Sequence, residues 1–103
     1  MCLKEAVDET IQEFGHLDIL LSNAGTLIVE SVRDMSRKGF EQIMDLNVTV
    51  SFLMTKYSLP HLEKTKGNIL YISSVAGCTN TSYIDLILLK CIFEHVCRSK
   101  ALP

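Results

Sequence analysis

The chain has 103 residues, of which 48% are hydrophobic, and its 12 acidic and 10 basic residues leave a net charge of −2. This length suits one small domain, and the apolar content excludes a disordered chain. No basic stripe marks a nucleic-acid surface. The longest apolar run near the C-terminus, residues 86–89, is far too short to span a membrane. We expect no nucleic-acid or membrane partner and, since no signal peptide is recognisable, a cytoplasmic location.

The cysteines and histidines are spread along the chain, and no two cysteines form a CxxC pair. Cys91, His95 and Cys97 could share a helix, but their spacing matches no zinc-binding pattern. We therefore interpret the cysteines as reduced thiols and expect no metal site.

An amphipathic helix is predicted first. Apolar side chains recur at helical spacing from Leu3 to Phe14, with acidic residues on the other side, and Gly15 is a natural C-terminal stop. The run ILL at 19–21 then has no polar alternation. Such a run is typical of a strand buried on both faces of a parallel sheet.

A loop is predicted over 26–35, with Ser36 as the N-cap of a second, longer helix. Apolar residues keep helical spacing over 40–57, and Pro60 is expected to mark the weakening end of this helix. The run NILYISS at 68–74 is a second predicted strand. An alternation of helix, strand, long helix and strand builds a parallel sheet, so the predicted fold class is α/β.

Both predicted strands end in small polar residues. The first ends in the run SNAG at 22–25, and the second ends in Ser73 and Ser74. In open parallel sheets, ligands bind outside the carboxyl ends of the strands, so these residues are candidates for a binding site. Asparagine and glycine are also common in ordinary strand-to-loop turns, and the spacing alone leaves both interpretations open.

Three segments together resemble the short-chain dehydrogenase/reductase family. They are FGHLDILLSNAG at 14–25, MDLNV at 44–48 and GNILYISSVAG at 67–77, in the family's order and spacing, and the resemblance covers about residues 3–77. It implies a partial Rossmann-like doubly wound parallel sheet. It also implies an NAD(P)-dependent oxidoreductase that transfers a hydride to or from a small-molecule alcohol or carbonyl substrate.

The resemblance also implies roles for individual residues. Asn23, Ala24 and Gly25 match the family's cofactor-binding NAG motif, although Ser22 stands where the family usually has asparagine. Asn47 matches the asparagine that anchors a water in the proton relay. Ser74 matches the serine that hydrogen-bonds the substrate oxygen, with its neighbour Ser73 as the alternative.

The catalytic tyrosine and lysine of the family do not fall at their usual places. The expected positions, 87 and 91, hold isoleucine and cysteine, and the nearest candidates are Tyr83 and Lys90. On one helix these two would lie roughly 10 Å apart along the axis. They are predicted as proton donor and electrostatic helper; the alternatives are an aromatic at a helix start and a solvated lysine.

Two departures suggest a second hypothesis. The five glycines form no glycine-rich turn, so the N-terminal βαβ unit that holds the pyrophosphate is expected to be missing. Within one predicted domain, 1–103, the segment 78–103 diverges from the family and is apolar nearly all round. The alternative is therefore a truncated, inactive fragment or isoform that forms a dimer or another homo- or hetero-oligomer through helix 40–57.

Overall fold

The computed structural model describes residues 2–26 and 33–72. Its helices and strands follow the predicted alternation. In chain order they are α1 (Leu3–Phe14), β1 (Ile19–Ser22), α2 (Arg37–Met44), a π-helix (Asp45–Thr49), α3 (Val50–Thr65) and β2 (Asn68–Tyr71). The last residues of the second predicted strand, 73–74, and the segment 78–103 lie outside the described residues.

Helix α1 begins and ends as its sequence predicts. Cys2 is its N-cap, and a capping box joins it to Glu5: the Cys2 N–H donates to the Glu5 carboxylate at 2.7 Å, and Cys2 Sγ accepts the Glu5 N–H. Gly15 ends the helix in the left-handed conformation, with φ 82°, and donates its N–H to Ile11 O. Glycine adopts this conformation without a Cβ penalty, which explains the sharp end.

The two strands pair in parallel and have one covered face. Leu20 is buried, whereas Ile19 and Leu21 are each 56% exposed and Leu70 is 53% exposed. Helix α3 packs against both α1 and β1, so the covered face is the one that carries Leu20. The prediction that β1 is buried on both faces is therefore wrong for the described residues, because their helices cover one face.

The predicted long helix is interrupted in one place and extended in another. Ser36 caps α2 as predicted, since its Oγ accepts the Gly39 N–H at 3.0 Å. The helix passes through the π-helix before α3, and it continues beyond Pro60 to Thr65, so the prediction that it ends near Pro60 is wrong. Pro60 is exposed, and the turn after it is held by buried Leu62 and by a bond from Thr65 Oγ1 to Leu17 O at 2.7 Å.

The chain divides into two compact units. The first comprises Met1–Asn23 and Thr49–Ile72, and it contains α1, α3 and the sheet. The described part of the second, 24–26 and 33–48, contains α2 and most of the π-helix. Within the described ranges, no helix combines the length and apolar character needed to cross a bilayer.

Ser58 on α3 offers a test of packing in the first unit. It is completely buried, and its Oγ has no hydrogen-bond partner among the described atoms. A buried hydroxyl that lacks a partner is costly, so Ser58→Ala is expected to leave the free energy of unfolding unchanged or raise it by about 1 kcal/mol. The matched control is Thr65→Val, which removes a hydrogen-bonded hydroxyl and is expected to lower the free energy of unfolding. Urea denaturation measures both, and a clear loss of stability in Ser58→Ala would contradict this account.

Candidate functional site

The carboxyl ends of the two strands lie side by side. Ser22 is in register with Tyr71, and the Ile72 N–H donates to Ser22 O at 3.0 Å. Asn23 follows the first strand directly, and Ser73 follows Ile72 in sequence. The pairing therefore places the end of β1, which Asn23 follows, beside the end of β2.

Hydroxyl groups tie this end of the sheet to α3. Ser22 Oγ donates to Ser51 Oγ at 2.9 Å, and Thr55 Oγ1 shares a 2.5 Å bond with the Tyr71 hydroxyl. Thr55 Oγ1 also donates to Ser51 O at 2.8 Å, which uses its proton and makes Tyr71 the donor in the shared bond. We call Ser22, Ser51, Thr55 and Tyr71 the hydroxyl clamp. It holds the last register pair of the sheet from one turn of α3.

The NAG motif is accessible where it leaves β1. Asn23, Ala24 and Gly25 are all exposed. Small side chains allow a flat ligand to approach the backbone closely, which suits the cofactor-binding role that the sequence predicts. None of these three residues has a bulky side chain that would block a ligand from the backbone.

In the second unit, Asn47 fixes the residue that follows the motif. Asn47 lies in the π-helix and is 4% exposed. Its Oδ1 accepts the Thr26 N–H at 2.8 Å, and its Nδ2 donates to Thr26 O at 2.9 Å. An amide has both a donor and an acceptor and can therefore pair with both backbone groups of one residue. Short π-helices often mark functional sites, and this one carries the predicted asparagine at its centre.

Ionisable groups of the described chain do not mark a second site. Lys4 has a raised pKa because its ammonium donates to Asp8 and is attracted by that carboxylate, but the pair lies on the surface of α1. In residues 2–26 and 33–72, no three histidine, cysteine or acidic side chains come together as metal ligands.

The structure places only some of the predicted site residues. Asn23, Ala24, Gly25 and Asn47 are described, whereas the predicted catalytic residues Ser74, Tyr83 and Lys90 lie outside the described residues, as does the alternative Ser73. Sequence reasoning missed the hydroxyl clamp and the bonds from Asn47 to Thr26. A usable signal was the pair Ser51 and Thr55, four positions apart in a helix whose buried side also holds Ser58.

Comparison with known proteins finds relatives that are dehydrogenases by name. The sequence model of the short chain dehydrogenases matches residues 2–84. L-Fucose dehydrogenase of Mus musculus is 38% identical over 81 residues, which cover 78% of this chain and 30% of that protein. An 11-beta-hydroxysteroid dehydrogenase of Pinus massoniana is 42% identical over 77 residues, 72% of this chain and 21% of that protein.

The fold is also found among solved structures. ElxO with NADP bound superposes with a TM-score of 0.83 at 25% identity, over 92% of this chain and 39% of that chain. This similarity confirms the predicted α/β class and the partial Rossmann-like sheet. The chain thus spans 30% or less of the length of the two curated relatives.

Proposed function

The chain belongs to the short-chain dehydrogenase family, and we propose that it serves an NAD(P)-dependent oxidoreductase reaction on a small alcohol or carbonyl compound. The observation that carries this proposal is the exposed Asn23–Ala24–Gly25 segment at the carboxyl end of β1. Ligands of open parallel sheets bind at this position. The relatives, which act on a sugar and on a steroid by their names, support the reaction class and leave the substrate open.

The residues present fit the nucleoside side of a dinucleotide. Asn23, Ala24 and Gly25 would hold it through accessible backbone and one amide, and the NADP bound to ElxO supports this assignment. Either NAD or NADP is compatible with the proposal. When bound, the nicotinamide supplies or takes the hydride. The 103 residues contain no clustered glycines for the pyrophosphate, so the affinity is expected to be modest.

Roles for the remaining residues follow from the resemblance. Ser74 would donate a hydrogen bond to the substrate oxygen, where negative charge develops during reduction. Tyr83 would exchange the proton with that oxygen, and Lys90 would favour the tyrosine's ionised form. Asn47 holds both backbone groups of Thr26. We assign it first to fixing the segment after Gly25, beside the water-anchoring role that the family implies.

Association with a second subunit is part of the proposal. The predicted contact region, 40–57, contains the C-terminal half of α2, the π-helix and the first half of α3. Phe40 and Phe52 in this region are 41% and 52% exposed. Large exposed aromatic side chains commonly mark an interaction surface, which supports either a homo-oligomer or a hetero-oligomer.

Titration calorimetry of the purified full-length chain with NADH and NADPH tests the proposal. We expect weak binding, and a further loss of about tenfold or more in Gly25→Val, because the added side chain blocks approach to the backbone. Gly15→Ala, at an exposed helix end, is the control and should bind like the wild type. A chain that is folded by circular dichroism and binds neither nucleotide would contradict the proposal.

A further inference from the structure

We propose that the hydroxyl clamp is a positioning device that sets the carboxyl ends of both strands for ligand binding, with Ser51 as its central residue. The inference rests on the proposed function for the identity of the ligand. The bonds that carry it belong to the first unit. Ser51 accepts from Ser22 of β1, and its carbonyl accepts from Thr55, which in turn holds Tyr71 of β2.

The clamp acts on one register pair and not on the sheet as a whole. Ser22 and Tyr71 are the last paired residues, and the next backbone bond, Ile72 N–H to Ser22 O, closes the ladder at that end. Asn23 follows β1 in the sequence, directly after this last register pair. A shift of either strand end therefore moves the residues that face a ligand.

The side chain of Ser22 has the right length to reach Ser51 on α3. Ser22 Oγ reaches Ser51 Oγ directly at 2.9 Å, and Ser51 is only 3% exposed. A longer side chain at position 22 would have to displace α3 or give up this bond. In this chain the serine that stands at the family's usual asparagine position bonds to a small hydroxyl residue on the facing helix.

The opposite end of the sheet provides a matched comparison. There, Thr65 Oγ1 of α3 donates to Leu17 O just before β1, and the Asn68 N–H donates to Asp18 O at 2.9 Å. The Ser22 end therefore has two side-chain bonds to α3 and the opposite end has one, and each end has one closing backbone bond. Only the end with Ser22 leads to the predicted site.

Amide hydrogen exchange of the full-length chain, read by NMR, tests the clamp through the ratio of the Ile72 and Asn68 exchange rates. Using a ratio cancels any loss of global stability. We expect Ser51→Ala to raise this ratio about fivefold, as loss of a net stabilising bond predicts, and Ser51→Thr to restore it. Tyr71→Phe, which removes the hydroxyl without changing the ring, should also raise it. The control Thr65→Val should lower it.

Nucleotide affinity is then measured on the same variants with NADPH and NADH. We expect Ser51→Ala to weaken binding about fivefold and Thr65→Val to leave it unchanged. Equal shifts of the exchange ratio in both variants, or a changed ratio with unchanged affinity, would overturn the positioning role. If the wild type binds no nucleotide, the proposed function fails, and the exchange ratio alone still decides whether the clamp exists.

Discussion

Gly67→Ala is expected to destabilise the protein by at least about 3 kcal/mol, because the added methyl group has no room. A Cβ at this position would lie 2.3 Å from the Asp18 carbonyl oxygen and 2.9 Å from the Leu62 side chain. The Asp18 oxygen belongs to backbone and accepts the Asn68 N–H, so it cannot move aside without breaking the first bond between the strands. The register of the whole sheet, and with it the pairing of Ser22 with Tyr71, begins at this contact.

Gly15→Ala is the matched control for this substitution. Gly15 has φ 82° but no atom within 4 Å of an added Cβ. Its replacement should cost only the strain of a left-handed alanine, about 1–2 kcal/mol. Urea unfolding followed by circular dichroism compares the two, and soluble yield reports a Gly67→Ala chain that fails to fold. A Gly67→Ala protein as stable as Gly15→Ala would contradict the predicted clash of the added methyl group with Asp18 and Leu62.

Asn47→Leu is expected to lower the free energy of unfolding by about 2–3 kcal/mol, because it leaves both backbone groups of Thr26 without their partner. Leucine has a similar size but can neither accept the Thr26 N–H nor donate to its carbonyl. Thermal unfolding should show a drop in Tm of roughly 10–20 °C for a chain of this length. Nucleotide binding should also weaken, since the residue after the NAG motif loses its anchor.

Two further variants make the test specific to the hydrogen bonds. Asn68→Leu changes an exposed asparagine on β2 and should alter stability by no more than about 0.5 kcal/mol. Asn47→Asp puts a carboxylate against the Thr26 carbonyl, and burial raises the pKa of that carboxyl. The loss in free energy of unfolding relative to wild type should therefore be smaller near pH 4, where the carboxyl is protonated, than near pH 8. A deficit that does not change with pH would argue against the paired amide.

Helix α1 and the cap of α2 were predictable from local sequence. Three local signals predict them: the spacing of apolar residues over Leu3–Phe14, the glycine after that helix, and Ser36 before α2. Each signal affects only backbone within a few positions in the sequence. Such signals do not depend on the rest of the chain. The strands and the NAG motif were also predictable, because a short apolar run that ends in small polar residues is a local pattern.

Other features depend on contacts between distant residues. Pro60 is tolerated because the turn after it is anchored by Leu62 and Thr65, and the latter bonds to Leu17, 48 positions away in sequence. The exposed face of β1 depends on which helices cover the sheet, and a strand's composition carries no information about that. The π-helix around Asn47 accompanies its pairing with Thr26, another contact between residues far apart in sequence.

The amino-acid sequence by itself therefore determined the order of elements, the family and the position of the NAG motif at the end of a strand. Tertiary structure decided which face of the sheet is covered, how Asn47 is used, and that Ser22, Ser51, Thr55 and Tyr71 form one clamp. The physical reason is that periodicity and capping are short-range effects, whereas a hydroxyl or an amide takes its role from the partner that folding brings to it.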